Sequence, residues 1–378
     1  MKKSLVALAI FGAYAGVAQA QSAVTMYGSF DGGVRQVDNV DALGNNKTSV
    51  GSNGTYNSNR LGFKGVEDLG NGMNAHFNLE AGFNTGTGSS SSVASTSNTA
   101  RLFDRTASVG LGGGWGSLDF GRQYSISFRT IGAYDPFNYK YTGIIPLAVQ
   151  AASGGTGIIG AATTASNFGG YRFDNDIQYA GTFGAITARA EYAPGEVAGS
   201  TKARASSAVG LSYAQGPFSA GAAYTQKQVS PAFSIAGPNF DDKAWTVGGA
   251  FRMDAFRVAV GYNNEKISGA NAAGTAAIGD AKQRLGWVGG SYLITPAFEL
   301  TAAWYQTRID SPAATAAAFT TGKRDMAIVG ATYALSKRTS LYGDVDTTKL
   351  NGNQVLGFGT STTRDRTTGL SLGVNHFF

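Results

Sequence analysis

The chain is 378 residues long, with 54 glycines, 8 prolines, no cysteine, a hydrophobic fraction of 43% and a formal charge of +6. Glycine inside a helix is costly, so this glycine content argues against a helical protein, and the lack of cysteine excludes a disulfide framework and thiolate metal sites. The basic excess is too small and too dispersed for nucleic-acid binding.

Residues 1–20 read as a secretory signal. Lys2 and Lys3 precede an apolar stretch from Leu5 to Val17, and Ala18 and Ala20 supply the small residues of a cleavage site. Removal starts the mature chain at Gln21 and leaves 28 basic against 24 acidic residues, a charge of +4. No later stretch reaches eighteen consecutive apolar residues, so no spanning helix is expected. Residues 21–378 show no domain boundary.

From there the chain alternates residue by residue, the period of a strand with two different faces. Val24, Met26, Phe30 and Val34 fall on one face, and Thr25, Tyr27, Ser29, Asp31 and Arg35 on the other. Sixteen such segments are predicted, near residues 22–38, 57–68, 73–85, 100–112, 115–124, 170–181, 182–193, 205–215, 216–229, 242–254, 255–268, 281–294, 295–310, 323–335, 337–349 and 364–378. Many exceed the five or six residues usual in a soluble sheet and match a tilted membrane crossing.

Short turns such as 69–72, 112–115 and 294–297 fall between long loops such as 39–56, 86–99, 269–280 and 350–363. Short connections on one rim and long ones on the other suit a barrel that crosses a membrane. Hydrocarbon offers an open sheet edge no hydrogen-bond partner, so the first strand must pair with the last. The fold class is therefore all-β: a transmembrane antiparallel β-barrel of about 16 strands.

Several strings then resemble a known family: "VTMYGSFDGGV" at 24–34, "SNRLGFKGVEDLGNG" at 58–72, "GSLDFGRQY" at 116–124, "YALSKRTSLYGD" at 333–344 and "GVNHFF" at 373–378. In order and spacing they resemble the trimeric general-diffusion porins of Gram-negative bacteria, especially those of Neisseria and Burkholderia type. The resemblance covers essentially the whole mature chain. It implies an outer-membrane location, a homotrimer, passive diffusion of small ions and hydrophilic solutes, and a long third loop folded into the lumen. The implied partners are outer-membrane lipids, including lipopolysaccharide, and the β-barrel assembly machinery through Phe378. Residues 125–169 stand where that loop belongs, with aromatics in "IGAYDPFNY" at 131–139. Asp135 is its only carboxylate, a departure from the acidic cluster usual in the family.

Fixed charges at a narrow point filter ions by changing their local concentration, without chemistry on the solute. Parity places Arg60 and Lys64 on the lumen side of the second segment, with Arg172, Arg35 and Arg189 inward by the same argument. The resemblance places Arg60 and Arg105 in a basic ladder opposite the inserted loop. Glu80, Asp31 and Asp135 are the candidate acidic counterparts. Arg122 shares parity with Phe120 and is assigned to the loop base or a subunit contact. Subunit contacts are expected on the early strands, at small positions such as Thr106, Ser108 and Gly110.

No enzyme is expected, because the two histidines, His76 and His376, form neither a triad nor a metal spacing. No cofactor is expected either. The expected function is passive flow with a modest anion preference. The alternatives are a substrate-specific channel, and an adhesin or phage-receptor role carried by the long loops.

Overall fold

The computed structural model describes residues 23–40, 43–51, 56–90, 101–141, 172–229, 240–269, 281–310, 321–352 and 365–378. The predicted signal at 1–20 and the loop tips at 91–99, 151–166 and 353–363 lie outside them. One antiparallel sheet contains β1 (Ala23–Val37), β2 (Lys47–Gly51), β3 (Arg60–Gly70), β4 (Met73–Gly82), β5 (Thr106–Gly113), β6 (Gly116–Tyr124), β7 (Arg172–Phe183), β8 (Ile186–Ala193) and β9 (Ser206–Gln215). It continues through β10 (Phe218–Val229), β11 (Phe240–Met253), β12 (Phe256–Gly269), β13 (Ala281–Thr295), β14 (Phe298–Asp310), β15 (Gly322–Ala334), β16 (Thr339–Gly352) and β17 (Arg366–Phe377). A single described helix, α1 (Ile126–Tyr134), follows β6.

The sheet closes on itself. β17 pairs with β1 from Ser29 opposite Phe377 to Val37 opposite Gly369, so the edge amides that hydrocarbon would leave unpaired are satisfied. Sixteen strands are long, from 8 to 15 residues. The short β2 falls inside what the sequence suggests is the loop 39–56. It forms because β1 outruns its neighbour: Ala23–Ser29 pair with β3, and Gly33–Val37 are left for β2.

Connections alternate as the composition of the turns requires. At the tight end of β3–β4, Asn71 and Gly72 both take positive φ, 53° and 74°, the conformation that lets a two-residue hairpin follow strand twist. Side-chain parity also holds: Val24, Met26, Phe30 and Val34 are exposed on the outer wall, while Ser29 and Asp31 are buried inside.

One assignment is corrected. Thr106, Ser108 and Gly110 face the lumen, because their cross-strand partners are the inward Glu80, Asn78 and His76 and a Cβ on Gly110 would meet Asp119 and His76. The outward positions of β5 are Val109 and Leu111, both exposed. His76 also has a partner, since its Nε2 lies 2.8 Å from Asp119 Oδ1.

The core lies inside the tube. Leu285, Trp287, Ala303, Tyr305, Met326, Ile328 and Tyr342 project inward from β13–β16 and pack with Tyr56, Phe137 and Tyr141 from two long connections. On this side packed apolar side chains cover part of the lumen wall.

Candidate functional site

The third long connection enters the barrel as α1, which rests against β8–β12. Its start is fixed twice. Ser125 caps it through a hydrogen bond from Phe128 N at 3.3 Å, and Ile126 N donates to both carboxylate oxygens of Glu191 at 3.2 and 3.1 Å. An acidic group there satisfies an orphan amide and complements the helix dipole. Gln178 Nε2 holds Glu191 in place at 2.8 Å. The wall makes room through missing side chains: a Cβ on Gly210 would stand 2.5 Å from Ile126 Cγ2, and one on Gly248 2.7 Å from Tyr134 Cβ.

Asp135 sits before Pro136, which disfavours helical backbone in the residue preceding it, and α1 ends there. The carbonyls left unpaired at this end are taken up by the wall. Arg257 donates to the oxygens of Ala133 (3.0 Å), Asp135 (3.1 Å) and Pro136 (3.1 Å), and Trp287 Nε1 donates to Tyr134 O at 2.8 Å. The Asp135 carboxylate accepts from Tyr305 Oη at 2.6 Å and from Tyr139 N at 2.7 Å. It is fully buried. Desolvation pushes its pKa up to about 6 against the pull of Tyr305, the backbone amides and Arg257. The only loop carboxylate thus faces the clamp and not the water path.

Beyond Asp135 the chain continues as an aromatic strip. Tyr141 meets Phe137 and Tyr56 edge-on at 5.5 and 5.0 Å, and Tyr56 stacks on Tyr342 at 4.5 Å. Tyr141 Oη donates to Gly343 O at 2.9 Å. At the other end of α1, Arg172 lies over the Tyr124 ring at 4.1 Å, Tyr124 stacks on Phe128 at 4.8 Å and Phe128 on Tyr139 at 4.3 Å.

The cations gather beside this stack. Arg105 Nε lies 2.6 Å and Arg60 Nε 3.6 Å from the Glu80 carboxylate. The Tyr124 hydroxyl accepts from Arg105 at 2.7 Å and also from Arg172. Three guanidinium groups are thereby tied to one carboxylate and one phenol. Lys64 joins from the side, 5.4 Å over the ring of Tyr27, whose hydroxyl donates to Glu80 at 3.1 Å. Arg105 precedes β5 and turns inward.

The remaining candidates lie apart from this group. Arg35 pairs with Asp346 at 2.7 Å on β16. Asp31 is buried and accepts from Tyr56 N and Asn57 N, both at 3.0 Å, so it pins the first long connection to the wall. Arg189 Nη1 reaches Ser212 Oγ at 3.4 Å. Arg122 sits at a bulge between Gly121 and Gln123, paired with Asp174 and donating to Asp104 O at 2.6 Å, where it ties the base of the loop. Sequence reasoning overlooked Tyr124, Glu191, Arg257, Trp287 and Tyr305. A signal for the last two is present: β13 and β14 carry large apolar residues at both parities, as in Trp287 beside Val288 and Trp304 beside Tyr305.

The family model of the Gram-negative porins matches residues 4–353. An outer membrane porin protein of Bordetella pertussis is 31% identical over 69% of this chain and 69% of its own length. The major outer membrane protein P.IB of Neisseria gonorrhoeae is 30% identical over 90% of this chain and 91% of its own. Among solved structures, an anion-selective porin from Comamonas acidovorans superposes with a TM-score of 0.76 at 24% identity, covering 95% of this chain and 100% of that one. Closed barrel, inserted helix and relatives agree, and the chain belongs to the Gram-negative porin family, whose outer-membrane β-barrels are channels for passive diffusion.

Proposed function

We propose that the channel is a general-diffusion pore with a modest preference for anions, working as a homotrimer after removal of residues 1–20. The observation that carries this reading is the Arg60, Arg105 and Arg172 group, which gathers three positive charges beside the Glu80 carboxylate and the Tyr124 hydroxyl. Such a group raises the local concentration of permeant anions, and a low-dielectric wall strengthens its field. The mature charge of +4 acts in the same direction. The anion-selective porin that shares the fold supports the sign of the preference, and a trimer form of a Vibrio cholerae porin-fold protein at a TM-score of 0.65 supports the assembly. No catalytic group enters this mechanism.

The test is the reversal potential in a salt gradient across a planar bilayer. The wild type is expected to be weakly anion-selective, and Arg60→Ala with Arg105→Ala to shift toward cations while conductance persists. Cation selectivity in the wild type, or no shift in the double variant, would overturn the assignment. Block by one solute at low concentration would indicate a substrate-specific channel instead.

A further inference from the structure

Between Ser125 and Tyr141 the inserted chain carries three charged side chains, Arg129, Asp135 and Lys140. Asp135 is buried in the clamp, and Lys140 packs over the rings of Tyr56 and Phe377. Arg129 alone of the three is exposed. Because α1 lies inside the tube, that exposure is to the water path.

Stability does not account for this arginine. It is the fourth residue of α1, near the end where the helix dipole favours acidic side chains. Its side-chain hydrogen bond, from Nε to Tyr124 O, is long at 3.4 Å, and the same oxygen also accepts from Gln178 Nε2 at 3.1 Å. Among the described residues no carboxylate is ion-paired with it. The nearby Asp176 and Glu191 are buried beneath the start of the helix, where both accept from Gln178, and Glu191 also from Ile126 N.

What Arg129 does approach is the cationic side of the wall. Its guanidinium carbon is 5.9 Å, and that of Arg172 4.1 Å, from the centroid of the same Tyr124 ring. The two are therefore at most about 10 Å apart, roughly one Debye length at 0.1 M salt. The Tyr124 hydroxyl joins Arg172 to Arg105. Positive charge thus borders the water path from the helix as well as from the strands.

We propose that Arg129 is a selectivity-determining residue supplied by the inserted helix, with anions passing between it and the Arg60, Arg105 and Arg172 group. An acidic loop opposite a basic wall would set a field across the pore; a basic one adds its potential to that of the wall and concentrates anions further. This role rests on the anion preference read from the wall group.

The test is the chloride-to-potassium permeability ratio, taken from reversal potentials of the purified porin in potassium chloride gradients. Arg129→Gln is expected to lower the ratio about twofold and Arg129→Glu to lower it further. Each is compared with the wild type, so if one fails to fold the other decides. Arg129→Lys keeps the charge without the planar fork and is expected to keep the wild-type ratio. The loss in Arg129→Gln should shrink between 0.1 M and 1 M salt, as the Debye length falls from about 10 to about 3 Å. An unchanged ratio in Arg129→Gln, or a fall in Arg129→Lys as large as in Arg129→Gln, would overturn the proposal. A cation-selective wild type would overturn the pore reading and this role together. An anion-selective wild type that responds to Arg60→Ala with Arg105→Ala but not to Arg129→Gln would overturn this role alone.

Discussion

Two stretches of one lumen wall carry opposite chemistry. On β13–β16 the inserted chain lies on the inward Leu285, Trp287, Tyr305, Met326, Ile328 and Tyr342, while other inward positions of these strands, such as Arg324 and Asp346, are polar. On β3, β4 and the approach to β5 the inward residues are Arg60, Glu80 and Arg105, linked by ion pairs, with Lys64 over the Tyr27 ring beside them. Both stretches obey the same alternation, so period alone separates inside from outside and does not separate wet from dry. What divides them is the third connection. Where it docks, apolar burial contributes roughly 25 cal/mol per Å², and polar groups survive only with partners. Where it does not dock, the wall keeps its charges.

Weakening the apolar wall has the largest expected effect. Trp287→Ala removes a buried indole and the hydrogen bond to Tyr134 O, at a cost of about 3–5 kcal/mol. Single-channel conductance should rise as the loop loosens, and thermal unfolding should move down. A smaller effect is expected from acid. The docked pKa of Asp135 is about 6, above the 3.8 of a freely solvated aspartate. Its contribution to docking is therefore full below that value and lost as pH rises through 6, a change of up to about 3 kcal/mol. The difference in Tm between wild type and Asp135→Asn should fall between pH 4 and pH 7, and a difference that rises or stays flat contradicts the clamp. The border between the two stretches offers a finer test. Burial and the charge of Arg60 lower the pKa of Lys140 to about 8, with its Nζ 5.1 Å over Tyr56 and 5.2 Å over Phe377. Anion preference in reversal-potential measurements should decline slightly from pH 7 to pH 9 and should not do so in Lys140→Met.

The sequence made the barrel legible because its outward and inward residues differ in kind along most strands, as Val24, Met26 and Phe30 differ from Ser29 and Asp31. It misled where they do not. Thr106, Ser108 and Gly110 are small enough for either face, and only the neighbouring Val109 and Leu111 decide the orientation of β5. β2 was hidden because five residues, Lys47–Gly51, form a strand only by pairing with the overhang of β1. In the site, parity placed Arg60 and Lys64 but is silent on Arg105, which lies one residue before β5 and turns toward Glu80. A carboxylate in a pore loop reads as a filter charge. The partners that bury Asp135, Tyr305 and Arg257, come from strands more than a hundred residues away, a relation that local pattern does not contain.

The inserted loop is a fixed part of the wall, and the chain's lack of cysteine makes this directly testable. A Cβ on Gly248 would stand 2.7 Å from Tyr134 Cβ, shorter than the roughly 3.8 Å of a disulfide, so helix and wall must part by about 1 Å for a bond to form between cysteines at these positions. In Tyr134→Cys/Gly248→Cys the bond should form on mild oxidation, and single-channel conductance should be the same oxidised and reduced. A conductance that changes when the bond is made or broken would show that the loop moves during permeation, and would contradict the account.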